Sequence, residues 1–399
     1  MNILVLCTYP VNNPKHGGQL RVNNIANTYR AAGHTVQVAG VLGSAHYECE
    51  EGFVKYPNFS QLTLVISNPL LMEDYCIGLL FSKNDHLHES LSRSIRMVPD
   101  IVHIEQPWLF EFAKKCYSRN SLIPKFIYGS QNIEWKLKQE IIASYFDPCT
   151  ALKSSQLIKE VEFNAISNAD AVVCVSENDA KWLRAHTSKP VVLAPNGVKA
   201  WQATQAGKIE ALKITDGNRF ALYCASGHPP NIKGFFDMFG GGFGSLKPDE
   251  KLVVAGGAGL AIASDARVHQ SAKLAEKVVL AGIVTQPCLE GLLDAAHCIV
   301  LPLTQGGGTN LKTAEALWSG QHIIASTVAM RGFERFMCSN GVHIANDSKE
   351  FKRSLRKVMS SPPLTLTQDE INARRSVLWE NCLVPLNNLL VSLNEGGES

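Results

Sequence analysis

Short runs of valine, isoleucine and leucine alternate along this chain with longer segments in which apolar residues recur at helical spacing. That is the pattern of a parallel sheet covered by crossover helices. In the first half the strand-like runs fall at residues 3–7, 36–41, 101–104, 126–128 and 172–175. None alternates cleanly between apolar and polar, as expected of strands buried on both faces. The second half repeats the pattern at 220–224, 252–255, 278–281, 298–301 and 322–325, so two doubly wound α/β units are expected. A boundary is expected at Pro195, Asn196, Gly197 and Val198, where a strand runs into turn chemistry, and residues 201–218 after it show little apolar periodicity. Near the end, Val377, Leu378, Leu383, Leu386, Leu389, Leu390 and Leu393 read as an amphipathic helix over 367–393, with Pro385 as the site of a kink. The expected division is 1–197, 198–366 and 367–399.

Size agrees with two cores, since 399 residues exceed what one core usually fills. A composition 45% hydrophobic and 19% charged suits soluble globular domains and excludes a disordered or fibrous chain. The formal net charge of +2 gives no basic footprint for nucleic acid. Clusters such as Lys114, Lys115 and Arg119, or Lys136 and Lys138, read as solvated helix faces, with a contact to anionic lipid as the alternative. Eleven cysteines occur without a Cys-x-x-Cys pair, so reduced thiols are expected in place of a disulfide framework or a zinc site. The opening residues read as a first strand in place of a signal peptide, and no apolar run approaches bilayer length. A cytoplasmic protein is expected, and peripheral contact with the inner face of a membrane stays open.

In open α/β sheets ligands bind beyond the carboxyl ends of the strands. The most informative loop there runs Pro302-Leu303-Thr304-Gln305-Gly306-Gly307-Gly308-Thr309-Asn310 and opens a helix with Leu311, Lys312, Ala314 and Glu315. Glycines let backbone approach a ligand, and the first helical amides favour an anion such as a diphosphate. Leu311, Ala314 and Trp318 would face the core. Lys312 would neutralise phosphate, while Glu315, one turn deeper, would accept hydrogen bonds from ribose hydroxyls. The alternative is a tight turn followed by an exposed Lys312–Glu315 ion pair. A second loop, Ser226-Gly227-His228-Pro229-Pro230-Asn231-Ile232-Lys233, offers Lys233 as another phosphate cation or as a solvated lysine in a surface turn. A third, Lys15-His16-Gly17-Gly18-Gln19, would allow the opposite domain to approach the same diphosphate.

Taken in order, these segments resemble the family 4 retaining glycosyltransferases. To them are added Asn132-Ile133-Glu134, Val175-Ser176-Glu177-Asn178-Asp179 and the Pro195-to-Val198 turn. The resemblance implies a GT-B fold: two Rossmann-like parallel-sheet domains facing a cleft, with a C-terminal helix crossing back to the N-terminal domain. It implies an acceptor-binding domain at 1–197, a nucleotide-sugar domain at 198–366 and the returning helix at 367–399. Family members place two glutamates eight positions apart at the donor site; Glu315 matches the second and Gly307 stands at the first. A His-x-His-Glu-Pro-like loop reads His103-Ile104-Glu105-Gln106-Pro107 here, with Glu105 in place of the second histidine.

The implied activity is retaining transfer of a sugar from a UDP- or GDP-linked donor to a saccharide or lipid-linked glycan. The departing phosphate would help to take the acceptor's proton, and neither cofactor nor metal is implied. No Asp-x-Asp metal motif occurs in the chain. Catalytic candidates are Lys233, Lys312, Glu105 and His103. Donor-binding candidates are Gly17, Gly18, Gly227, Asn231, Gly306, Gly307, Gly308, Thr309, Asn310, Leu311 and Glu315. A nucleotide-sugar 2-epimerase and a non-catalytic nucleotide-binding protein are the alternatives. The absence of a Gly-x-Gly-x-x-Gly turn after the first strand argues against a dehydrogenase.

Overall fold

The computed structural model describes residues 1–118, 123–240, 242, 244–265, 276–306 and 309–395. It divides into two compact units, Met1–Pro195 with Leu383–Ser399, and Asn196–Cys382.

The first unit is built on a seven-stranded parallel sheet, order β3-β2-β1-β4-β5-β6-β7. Its strands are β1 Asn2–Cys7, β2 Thr35–Val41, β3 Phe53–Val54, β4 Ile101–Glu105, β5 Lys125–Ser130, β6 Ala171–Cys174 and β7 Val191–Leu193. All five runs expected from hydrophobic pattern are strands, and the short edge strands β3 and β7 are added. Leu4, Leu6, Val102, Ile104, Tyr128 and Val172 bury their side chains in one continuous core with Phe81 and Phe112 from the covering helices and Trp108 from the turn after β4. Burying a side chain of this size stabilises by about 1.5–3 kcal/mol each.

The second unit has a six-stranded parallel sheet, order β10-β9-β8-β11-β12-β13. Its strands are β8 Arg219–Cys224, β9 Glu250–Ala255, β10 Val278–Gly282, β11 Cys298–Leu301, β12 His322–Ala325 and β13 Val342–Ile344. Neighbouring residues of a strand supply opposite faces: Leu222 and Ile299 join one core, Tyr223 and Val300 the other.

Two elements differ from the sequence expectation. Residues 201–218 contain the helix Gln205–Thr215, capped by the Thr204 hydroxyl, which accepts from Gly207 N at 3.1 Å. Its buried stripe is Gly207, Ala211 and Thr215, too small to register as apolar periodicity. The tail is not one helix. It breaks into Gln368–Arg374, a 3-10 turn at Arg375–Val377, Trp379–Cys382 and Val384–Glu395. Pro385 lies in the first turn of the last of these, where a missing N–H leaves no hydrogen bond unmade, so it causes no kink. That final helix packs against β7 and buries Leu386, Leu389 and Leu390.

In each sheet the strand order reverses once. β1 pairs with β2 on one side and β4 on the other; β8 likewise pairs with β9 and β11. Each reversal opens a crevice outside the carboxyl ends of its two central strands.

Candidate functional site

In the second unit, the loops after β8 and β11 meet at that crevice. After β8 the chain turns through Ala225–His228 into the helix Pro229–Phe239, which opens on two prolines whose fixed φ suits a first helical turn. Asn231, in that turn, is buried and held from three sides. Its side-chain amide donates to Ser226 O at 3.0 Å and Ser226 Oγ at 3.1 Å, and its backbone carbonyl accepts from the Tyr223 hydroxyl at 2.9 Å. The remaining Oδ1 accepts from Lys312 Nζ at 3.1 Å.

Lys312 comes from the helix Leu311–Trp318, which follows β11 and the glycine turn. Thr313, Ala314, Ala316 and Leu317 are its buried residues, and the Thr313 hydroxyl donates to Ala329 O at 2.6 Å. Leu311 and Trp318, expected in the core, are half-buried. Trp318 Nε1 donates to Trp201 O at 3.1 Å. Lys312 and Glu315 are both half-buried on the neighbouring face. Burial lowers the Lys312 pKa. Burial raises that of Glu315 to about 7, against the opposing pull of Lys312. No ion pair joins their side chains among the described residues, so they form a pair of separately presented groups.

The head of this helix carries unspent hydrogen-bonding capacity. Thr309 Oγ1 and Asn310 Nδ2 are buried and have no partner among the described residues. Asn310 occupies the cap position without a side-chain cap bond. Gly306 has φ +134°, a backbone conformation that only glycine adopts easily, and an added Cβ would stand 3.2 Å from the Arg331 guanidinium. Gly307 and Gly308 lie outside the described residues. Arg331 escaped the sequence reading, being an isolated polar residue in a loop without a motif, and Ser226, though inside the second loop, was given no role of its own.

Lys233 is placed elsewhere. Two positions from Asn231, it projects from another face of the helix, is exposed, and pairs with Asp237 at 2.6 Å. Thr304 Oγ1 donates to the same carboxylate at 2.7 Å. Gly227 is exposed and abuts Gly257, which follows β9: a Cβ on Gly227 would lie 3.3 Å from Gly257 O.

In the first unit, Gly17 and Gly18 open the helix Gly17–Ala31, where Gln19 Oε1 accepts from Lys15 N at 2.7 Å and His16 N at 3.3 Å. Gly18 is packed on Tyr9, whose hydroxyl would stand 2.9 Å from an added Cβ. His103 and Glu105 lie on β4 with fully buried side chains. Glu105 accepts from His103 Nε2 at 3.0 Å, from Arg21 Nε at 3.3 Å and from Gln131 Nε2 at 2.7 Å. Burial alone would raise its pKa, but Arg21, His103 and Gln131 together hold it down at about 2. The Tyr29 hydroxyl lies 2.8 Å from His103 Nδ1. Neither His103 nor Glu105 faces solvent, and the partners that bury them, Arg21, Tyr29 and Gln131, lay outside every motif.

Among the described residues no group of three or more His, Cys, Asp or Glu is arranged to hold a metal ion, and no helix is long and apolar enough to cross a membrane.

Comparison with known proteins accords with this geometry. Residues 16–201 match the family described as Glycosyltransferase Family 4, and residues 219–361 the one described as Glycosyl transferases group 1. No curated protein matches the sequence significantly. Among solved structures, a sucrose-phosphate synthase from Thermosynechococcus elongatus is similar, with TM-score 0.72, 14% identity and 99% of each chain covered. Anabaena HepE in complex with UDP-glucose superposes at TM-score 0.62 and 12% identity, over 99% of this chain and 100% of that one. The lipopolysaccharide outer core galactosyltransferase WaaB does so at TM-score 0.62 and 12% identity, over 98% and 96%. At such identities the likeness is one of fold.

Proposed function

The chain belongs to the glycosyltransferases of family 4 and group 1, with the GT-B fold, and on that premise we propose what it moves and how. The donor is a UDP- or GDP-linked sugar, the acceptor a glycan or lipid-linked saccharide, and transfer proceeds with retention and without a divalent metal. The observation that carries this reading is the Asn231–Lys312 contact at the head of the helix Leu311–Trp318, beside the unpartnered Thr309 Oγ1 and Asn310 Nδ2.

A diphosphate at this helix head takes up the first-turn amides, the two orphaned side-chain atoms and the Lys312 ammonium. Glu315, one turn further along, accepts from the ribose hydroxyls. As the bond from C1 to the phosphate oxygen breaks, charge builds on the diphosphate, and fixed donors that need no reorganisation stabilise it. The acceptor oxygen bonds C1 on the same face, and its proton passes to the departing phosphate. UDP and UDP-glucose, named with the HepE structures, support a uridine donor as the first to try.

The test begins with thermal stabilisation by a panel of nucleotide-sugars, since a ligand that binds only the native state raises its melting point. With the best donor, Lys312→Ala is expected to lower turnover at least about 100-fold while the protein stays folded. Undiminished turnover in Lys312→Ala or Glu315→Ala would overturn the assignment. Activity lost to a chelator and restored by magnesium would remove the metal-free part. An epimerised nucleotide-sugar formed from donor alone would replace transfer with isomerisation.

A further inference from the structure

The crevice of the first sheet lies between β1 and β4, and three side chains converge there. Tyr9 stands two residues beyond β1, Glu105 is the last residue of β4, and Gln131 follows β5. Gln131 Nε2 lies 2.7 Å from Glu105 Oε2 and 2.5 Å from Tyr9 Oη. An ionised carboxylate only accepts hydrogen bonds, so it must meet the amide nitrogen of Gln131. The second hydrogen on that nitrogen then points at Tyr9 Oη, which has to accept it. Two groups remain with their direction fixed: the Tyr9 O–H can only donate, and Gln131 Oε1 can only accept. Neither has another partner among the described residues. Tyr9 is nearly buried and Gln131 half-buried at the rim.

Behind this pair, Glu105 cannot turn. Arg21 Nε holds it at 3.3 Å while Arg21 Nη1 donates to Ala194 O at 2.8 Å, tying the carboxylate to the chain just beyond β7. On the other oxygen His103 Nε2–H donates at 3.0 Å, and the Tyr29 hydroxyl meets the opposite ring nitrogen at 2.8 Å.

We propose that Glu105 is a positioning residue that sets the hydrogen-bond direction of Gln131 and Tyr9, so that together they present one donor and one acceptor to a sugar hydroxyl during transfer. A hydroxyl group needs that combination, since it donates once and accepts. The inference rests on the transfer reaction above and deepens it by assigning the sugar-facing contact of the first unit. The hydroxyl belongs to the acceptor.

The test is a double-substitution cycle on the full-length protein, with UDP-glucose as donor probe and methyl α-glucoside as acceptor probe. Tyr9→Phe is expected to lower turnover about 10-fold, the worth of one hydrogen bond. In a Glu105→Leu background, where no acceptor is left to fix the direction, Tyr9→Phe should cost less than about twofold. An equal cost in both backgrounds overturns the proposal. Loss of transfer with unchanged UDP release in the absence of acceptor is the expected pattern; equal loss of both overturns the assignment. Should Glu105→Leu not fold, Gln131→Leu takes its place in the cycle.

A readout independent of turnover is the side-chain amide of Gln131, observed by NMR. Its two protons should exchange slowly in the native protein and freely in Glu105→Leu; unchanged exchange overturns the proposal. UDP should stabilise every variant alike, because the nucleotide contacts lie in the second unit. Failure of UDP to stabilise the unsubstituted protein would count against the transfer reading and leave the Gln131 result standing.

Discussion

Lys312 and Glu315 share a helix face, yet burial acts on them in opposite senses, lowering one pKa and raising the other. For Glu315 the consequence is a pH dependence of nucleotide affinity. Its folded-state pKa of about 7 means that the carboxylate proposed to meet the ribose forms only as pH rises through neutrality. Affinity for UDP is therefore expected to strengthen between pH 6 and 8 by roughly 10-fold, the scale of a hydrogen bond to a charged group. Calorimetric titration of Glu315→Gln should show a flat profile. In the free protein the sign for stability is the reverse. The folded state holds this proton at pH values where the unfolded chain has released it, so Glu315 costs stability as pH climbs from the ordinary carboxylate range toward 7.

Glu105 behaves in the opposite way. Its pKa is depressed to about 2, so its contribution is complete above the ordinary carboxylate pKa and disappears as pH falls toward 2. Removing its partner leaves a buried charge uncompensated: Arg21→Met is expected to destabilise by about 3–5 kcal/mol in urea unfolding at pH 7. The Lys312–Glu315 pair was legible in the sequence because one continuous strand-turn-helix segment carries it. The setting of Glu105 was not, since Arg21 and Gln131 reach it from 84 and 26 residues away.

Strands proved more legible than helices at the scale of elements. A parallel strand within a covered sheet gathers its apolar residues into three to six neighbouring positions, so the ten longer strands stood out. β3, β7 and β13, of only two or three residues each, offer no such run. The helix Gln205–Thr215 was hidden for a different reason. Its contact stripe carries glycine, alanine and threonine, because the neighbouring helix Gln286–Ala295 comes very close: a Cβ on Gly207 would lie 2.0 Å from Pro287 O, and one on Gly291 would lie 2.2 Å from Gly207 O. The backbones themselves are the packing surfaces. Gly207→Val should therefore destabilise the protein by about 1–3 kcal/mol or more, through forced separation of the two helices. Leu212→Ala, at an exposed position of the same helix, should stay within about 0.5 kcal/mol. Thermal or urea unfolding of the two variants side by side checks the contrast.

Over the whole molecule, the same rule locates both clusters. Each sheet reverses its strand order once, and the residues with the most distinctive chemistry in each unit lie at that reversal: Tyr9, Glu105 and Gln131 in one, Asn231, Lys312 and Glu315 in the other. Sequence pattern could supply the strands and their loops, but strand order follows from which strands pair, and that information is not local. The partition of the chain has a further effect. Removing residues 383–399 takes away Leu383, Leu386, Leu389 and Leu390, all buried. Truncation after Cys382 should therefore lower the melting point of the first unit while UDP still stabilises what remains, as calorimetry with and without UDP would show.

Because the first unit draws on Met1–Pro195 and again on residues from Leu383 onward, it cannot be finished in the order in which it is made. On the ribosome its sheet must wait, with the groove beside β7 uncovered, while the entire second unit is synthesised. The second unit is contiguous and is free to reach its native state first. A nascent chain halted before residue 383 would thus be expected to hold a mature second unit and a first unit still exposing apolar surface. Chaperones would find their substrate at the start of this protein rather than at its end.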